Sequence, residues 1–573
     1  MNTGSVMQIV RYQRLIGLVP SGGSFSIRTN WGQALSTMGR SLRKFVEIYG
    51  LHIRKNAWNN SGTFNNSDLL WYAQAVGAMQ ARSLDDTSSW WFFAAIHGEY
   101  ILKQGGPAWN SLPSPPQVPT TPLPTAAVSD LYWDQCQHGS WYFGPWHRGY
   151  LWALEAQVRT DVIKLGGPAS WALPYWDYFG AGSEFNIPPA FTQQNLPDGS
   201  ANPLYVAARY GPDGNGNIFV LTPTEESNGP VTEQCLTNDV YTGEDANTRS
   251  PGFGGPNTGF SHSANTYGNL ESNPHNFVHV EVGGSSGPVQ GLMSVPGTAA
   301  LDPIFYLHHA NIDRMWAGWN QNPANTNPTD PNWLNGPAAI GEAEFVMPMP
   351  YGSSWVYTPQ QMSSLSQLNY QYDSLPPLPP PPTDLVVQRL ARLRGATVAA
   401  QAQGGLHVTT GENKELVGAS QGPVSIKSSG ASVAVLFDST ARGKVAASLA
   451  TASETALPDR VFLNLENVIG KFDAAELSLY INLPGGAKPG DHPELLAGTV
   501  ALFGLGAASA PNGKHAGQGL NFALEITSII DTLYLSRALD VDSLKVTIVP
   551  ARRALPDRVE ITVGRVSIHR QGA

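Results

Sequence analysis

The sequence predicts two parts of different fold class: a mainly α, helical-bundle N-terminal domain and a β-rich, sandwich-like C-terminal domain. Three observations carry this. Apolar residues recur at helical spacing in segments up to about position 320, a proline run interrupts the chain near position 375, and beyond it short segments alternate apolar and polar residues. The 573-residue length suits several domains, and 42% hydrophobic with 10% aromatic residues is enough to fill their cores.

From about Trp31 to Ile101 the pattern is helical. Asp85, Asp86, Thr87 and Ser88 make a helix entry before the aromatic run Trp90–Phe93, because short oxygen-bearing side chains accept from first-turn amides. His97 falls on that helix. A Pro-rich loop over 107–124 leads to a second helix, Tyr150 to Leu165, with Leu151, Leu154 and Val158 on one face. Residues 180–270, rich in Gly, Asn and Pro, read as long surface loops, and helices return over Asn273–Val280 and Asp302–Trp319.

The run from Leu375 to Asp384 favours an extended, semi-rigid polyproline spacer, since proline fixes φ and offers no amide donor. The expected organisation is therefore residues 1–374, a linker over 375–384, and residues 385–573. In the last part Val461–Leu465, Leu477–Ile481 and Val559–Val563 read as half-buried strands. The hexapeptide Ala-Leu-Pro-Asp-Arg-Val stands at 456–461 and again at 554–559, a shared turn into a strand.

With 34 Lys+Arg against 44 Asp+Glu and only 14% charged residues, the chain has no basic stripe for phosphates, so nucleic acid is not an expected partner. No apolar run reaches the roughly 18 residues of a membrane helix. Arg11 and Arg14 interrupt what would have to be a signal-peptide core, which leads us to expect a cytoplasmic protein while leaving export open. The two cysteines, Cys136 and Cys235, allow one bridge at most and suit a reducing compartment.

Eight of the 13 histidines lie between residues 97 and 309. Neutral imidazole binds transition metals through one ring nitrogen while a neighbouring group fixes the other. His138 and His147, the second preceded by Gly-Pro, are out of helical phase, but a loop histidine and a first-turn histidine can converge on one metal with His97. His275 and His279 share a helical face at i, i+4, and the His308-His309 pair adds a third ligand; Asp313, one turn after His309, is placed to orient its ring. His262, alone in a Ser/Asn-rich loop, reads as an ordinary surface histidine. Cysteine spacings for structural zinc are missing, as are the Glu-plus-Glu-x-x-His sets of di-iron bundles, and all-imidazole ligation suits copper or zinc. A zinc hydrolase built on the His275/His279 pair has no glutamate between the histidines and leaves the first three histidines unexplained.

The segments Ile96-His97-Gly98, His138 with Phe143-Gly-Pro-Trp-His147-Arg148, Pro274-His275-Asn276 with His279, and Asp302-Pro with Phe305, His308-His309, Asp313 and Trp316 closely resemble the two copper motifs of the type-3 copper proteins: tyrosinases, catechol oxidases and haemocyanins. Pro174-Tyr-Trp-Asp177 and Tyr370-x-Tyr372 add to the likeness, and Gly470-Lys-Phe-Asp473 with Tyr480-Ile-Asn482 is similar to the Lys-Phe-Asp domain of plant polyphenol oxidases.

The resemblance implies two copper ions, one on His97, His138 and His147 and one on His275, His279 and His309. The family ligand lies seven residues after the aspartate, here Asp302, which selects His309 and leaves His308 on the substrate side. It implies a thioether between Cys136 and His138, a spacing found in fungal and molluscan members rather than plant ones. Cys235 reads as a buried free thiol. Phe305 would pack on ligand rings, although a mid-helix phenylalanine is core by default. Glu271 with Asn276 would hold a water and act as general base for a monophenol, against the alternative that Glu271 caps its own helix. Val280 and the small Val295, aligned with a one-residue uncertainty, would leave the copper face open. The implied activity is oxidation of o-diphenols by O2 to o-quinones, with ortho-hydroxylation of monophenols, in an enzyme kept latent by its C-terminal domain as a lid. A purely structural C-terminal module and a haemocyanin-like oxygen-binding protein are the alternatives. The partners implied are a phenolic small molecule and O2; the oligomeric state is not legible.

Overall fold

The computed structural model describes residues 51–98, 112–133, 135–223, 229–243, 251–261, 266–377, 414–451, 459–511, 517–539 and 542–571. The 107–111 part of the first Pro-rich loop, His262, and most of the 375–384 spacer lie outside them. Among the described residues no helix is long and apolar enough to cross a membrane.

Five helices position the histidines: α1 (Ser67–Gln80), α2 (Trp90–Gly98), α3 (Phe143–Lys164), α4 (Phe277–Gly283) and α5 (Ile304–Trp319). Asn66 caps α1 by accepting from the Asp68 amide at 3.0 Å. The helix entry expected at 85–88 falls one residue later: Ser89 Oγ accepts from the Phe92 amide, while Asp86 ties down Ser88. Every residue of α2 is buried, as its unbroken apolar run requires. The third helix begins at Phe143, seven residues earlier than periodicity indicates, because Pro145 sits in its first turn, where no amide donor is needed. Pro274 has the opposite effect before α4. Glu271–Asn276 forms a wide π-type turn with Asn273 extended at φ −149°, and the regular helix starts only at Phe277.

Strand β1 (His52–Arg54) pairs in parallel with β2 (Tyr370–Tyr372), tying the two ends of the helical domain together. Arg54 is wholly buried there. It donates to Glu155, Asp313 and the Tyr372 hydroxyl, and its guanidinium lies 3.7 Å from the Tyr370 ring centroid. Residues 180–261, where described, are largely irregular as the composition predicts, but they are not surface loops throughout: Phe191, Leu204, Ala208, Val220 and Phe253 are buried in the core of the helical domain.

Among its described residues the C-terminal part holds nine strands: β3 (Lys414–Ala419), β4 (Val424–Ile426), β5 (Ala431–Phe437), β6 (Arg460–Gly470), β7 (Glu476–Ile481), β8 (Leu496–Ala501), β9 (Leu520–Glu525), β10 (Ser543–Pro550) and β11 (Ile561–Gln571). They form one antiparallel sheet in the order β8-β7-β10-β5-β3-β11-β6-β9, with β4 also on β11. The sheet curls like a barrel, bringing Gly498 of β8 against Leu524 of β9, so its two faces do the work of a sandwich. Its core takes Val461, Leu463, Leu477, Leu479 and Val563 from the alternating segments and others, such as Val546 and Ile568, from outside them. The second Ala-Leu-Pro-Asp-Arg-Val copy lies just before β11, and the described end of the first leads into β6.

The domains interlock. Ala501 and Phe503 from the β-rich part belong to the helical domain's core, and Tyr267 from the helical part belongs to the core of the sheet.

Candidate metal centre

Two groups of buried ligand-type residues form, each with its donor atoms within 4.8 Å of one another: His97, Cys136, His138 and His147, and His275, His279, His308 and His309. His97 ends α2, His138 precedes α3 on a loop, and His147 lies in the first turns of α3. His275 sits in the wide turn, His279 in α4, and the His308-His309 pair in α5.

Outer partners fix most of the rings. His97 Nδ1 pairs with the Pro296 carbonyl (2.9 Å), His147 Nδ1 with Phe143 O (2.8 Å), His279 Nδ1 with Met293 O (2.8 Å), and His275 Nδ1 with Asn276 Oδ1 (2.8 Å). Each donation commits Nδ1 to carry the proton and turns a bare Nε2 inward, as metal-binding imidazoles require. The Nε2 atoms of His275, His279 and His309 stand 3.1, 3.3 and 3.4 Å apart. That is the spacing of three nitrogens about 2.0 Å from one ion at tetrahedral angles, roughly 3.3 Å. Burial, and then the neighbouring imidazoles, push the pKa values of His147, His275, His279 and His309 well below the usual histidine value, so these rings stay neutral and available to a metal. A neutral all-imidazole donor set of this shape fits copper.

The common central domain of tyrosinase matches residues 87–322, and a domain of unknown function, DUF7868, matches residues 413–571. A tyrosinase, HcTyr1, of Hahella sp. is 31% identical over 513 residues, covering 87% of this chain and 96% of that one. The chain belongs to the tyrosinase family. It is a dicopper oxidoreductase of the tyrosinase and polyphenol oxidase type, and the oxygen-carrier alternative gains nothing from the comparisons. Aureusidin synthase of Antirrhinum majus is 31% identical over 210 residues, 35% of each chain. The structure of latent apple tyrosinase superposes with a TM-score of 0.54 at 20% identity, covering 91% of this chain and 97% of that one, which shows a shared two-domain fold.

Around the dicopper site of this family member, the other expected residues fall as follows. Phe305 packs on His309 (ring centroids 4.1 Å) and on His97 (4.9 Å), so it braces ligand-type rings of both groups. Cys136 Sγ is 3.4 Å from Nδ1 and 3.8 Å from Nε2 of His138, and 3.6 Å from Nε2 of His147. Glu271 does not cap its own helix: both carboxylate oxygens accept from the Gly139 amide, at 2.9 and 3.0 Å, beside His138. Burial raises its pKa well above the ordinary carboxyl value, which the Gly139 amide partly offsets. Asn276 spends its oxygen on His275, and its Nδ2 has no hydrogen-bond partner. His308 stacks beside His275 (5.3 Å) and meets Tyr178 (5.8 Å). Val295 is half-buried just before Pro296, whose carbonyl holds His97, and Val280 lines a cavity between the domains.

Asp313 corrects an expectation. Its carboxylate is taken up by Arg54, Arg148, Tyr370 and Tyr372, with no hydrogen bond to His309, whose Nδ1 has no partner. Strong charged donors from α3 and β1 outcompete a neutral imidazole for it. Cys235 is a buried thiol, as expected, with its pKa pushed upward by burial.

Two residues packed on ligand-type rings, Phe143 and Phe503, and one perturbed carboxyl, Glu233, escaped sequence reasoning. Phe143 packs on His147 (4.5 Å) and His275 (4.8 Å), and its place in the Phe-Gly-Pro-Trp-His motif was the available signal. Glu233, beside Asp177 and Arg314, is raised to about 7 by burial and the Asp177 charge. Phe503 stacks on His279 from the other domain, a contact no local pattern announces. Gly504, at φ +86°, makes the turn that delivers it: a Cβ there would lie 2.6 Å from the Tyr267 hydroxyl, which donates to Phe503 O at 2.8 Å.

Proposed function

We propose that this chain oxidises o-diphenols to o-quinones with O2 reduced to water, and also hydroxylates monophenols at the ortho position. It does so only when its C-terminal domain is displaced. His97, His138 and His147 hold one copper; His275, His279 and His309 hold the other. The reading is carried by one observation: the converging Nε2 atoms of the second triad lie beside a ring-sized space that an aromatic side chain, Phe503, already fills. A phenol entering that space would meet the same imidazole face.

Bound copper supplies O2 binding and the electron transfers. Each diphenol yields two electrons and two protons, so two turnovers reduce one O2 to two waters. The chain's own residues do the rest. Phe305 and Phe143 keep the ligand rings rigid and the pocket dry. Glu271, held at Gly139 and shielded from water, takes the proton of an entering monophenol; burial raises its pKa well above the ordinary carboxyl value, which makes it a stronger base than a surface carboxylate. Asn276 orients His275 and offers its unpartnered Nδ2 to a water. Val280 and Val295 set the width of the approach, and His308 flanks it. Cys136 would form a thioether with His138, losing the S–H and one ring C–H hydrogen, with bound copper and O2 supplying the two-electron oxidation.

Residues 385–573 act as the lid, with the Pro-rich 375–384 spacer as its tether to residues 1–374. The fold shared with the apple tyrosinase described as latent supports that architecture. O2 uptake by the copper-loaded protein with catechol and with tyrosol, before and after limited proteolysis between the domains, tests the whole reading. Catechol turnover that rises on cleavage, with tyrosol also consumed, is the expected result. Reversible O2 binding without turnover in either form would overturn it.

A further inference from the structure

A cavity of about 220 Å³ lies in the seam between the two domains. One wall carries Val280 and Glu281 of α4, and the other carries Phe472, Glu476 and Leu555 of the β-rich domain. Glu281 is only 1% exposed. Its Oε2 accepts from the Leu221 amide at 2.7 Å, but its Oε1 is shielded from solvent and has no hydrogen-bond partner. Glu476 Oε2 is in the same condition, and its charge is felt at Glu281. Burial pushes both carboxyls up, Glu476 to about 7, so it is in their ionised form that the two, on facing walls, call for a cationic donor.

Arg552 and Arg553 line the same cavity and their charges act on Glu476, Arg552's also on Glu281, but neither arginine hydrogen-bonds the unpartnered oxygens. Arg553 donates to the Ser285 carbonyl at 2.9 Å, and Arg552 pairs with Asp213 at 3.4 Å. Calcium or magnesium fits poorly, because each takes six or more oxygen ligands. An –NH3+ group brings three donors and one positive charge, and the apolar side chains of Val280, Phe472 and Leu555 offer a surface to an attached hydrocarbon.

We propose that this interdomain cavity binds a small primary-ammonium compound, with its –NH3+ on Glu281 and Glu476 and its hydrocarbon part against Val280, Phe472 and Leu555. The walls come from both domains, so the site is complete only while the domains are docked. By linkage, a bound ammonium compound stabilises the docked arrangement. The site does not depend on the chemistry proposed for the copper centre.

Calorimetric titration of the full-length, copper-loaded protein at pH 8 with 2-phenylethylammonium tests this. The expected result is one site per chain, lost with the neutral analogue 2-phenylethanol and weakened at least about tenfold by Glu476→Gln. Leu555→Trp, which fills the cavity, should abolish binding, and it keeps the test decisive should Glu476→Gln fold poorly. No binding of the ammonium compound would overturn the proposal, as would binding that neither variant alters. Stabilisation by calcium chloride that Glu476→Gln removes, with none by the ammonium compound, would replace it with a metal site.

Discussion

The ring of Phe503 lies face to face with the imidazole of His279, their centroids 4.1 Å apart and their planes 16° from parallel. Edge contacts to His275 (5.7 Å) and His138 (6.2 Å) extend the cover to both histidine groups. A side chain from one domain thus occupies the most chemically valuable surface of the other.

Phe503→Ala removes that cover. Truncating a buried phenylalanine costs about 3–5 kcal/mol, here charged to domain docking. Catechol oxidation by the uncleaved protein should rise tenfold or more, approaching the proteolysed form. Unchanged activity in the intact chain would show that Phe503 does not limit access.

Glu271→Gln keeps the shape and can still accept from Gly139 but cannot take a proton. Monophenol turnover should fall about 10²-fold while diphenol turnover falls far less. Equal losses on tyrosol and catechol would argue against a base role.

Asp313→Asn leaves Arg54 and Arg148 buried with one fewer negative charge between them. Breaking a buried ion pair costs about 3–5 kcal/mol, so the melting temperature should drop by several degrees or more. A melting temperature within a degree of the parent would refute the structural role assigned to this carboxylate.

Glu233 has its pKa raised from 4.5 to about 7, so the folded chain holds its proton more tightly than the unfolded one. The stabilisation is complete below about pH 4.5 and is lost as pH rises through 7, a swing on the order of 3 kcal/mol. Glu233→Gln should remove that part of the slope, making the variant more stable than the parent at pH 8. Parallel stability curves from pH 5 to pH 8 would contradict it.

The Cys136–His138 thioether predicts a mass about two hydrogens lower after copper loading in air, unaffected by reductant and mapped by digestion to the peptide holding both residues. Retention of a titratable thiol at Cys136 would exclude the bond.

The histidine triads were legible from the chain alone. Metal-competent spacing is local, His275 to His279 across one helical turn, or is marked by Gly-Pro punctuation before His147, and short-range geometry survives whatever the rest of the fold does. The two fold classes and the Pro-rich break near 375 were visible for the same reason, since periodicity and proline act on neighbouring residues. Tertiary structure alone decided which donors Asp313 serves, because Arg54, Arg148 and the pair Tyr370 and Tyr372 reach it from three separate stretches of sequence. It also decided that Glu271 holds the Gly139 amide 132 positions away and that Phe503 covers His279. Such contacts depend on how whole elements pack, and burial sets their strength: the same carboxylate, amide or ring left in water would have kept its solvent partners and formed none of them.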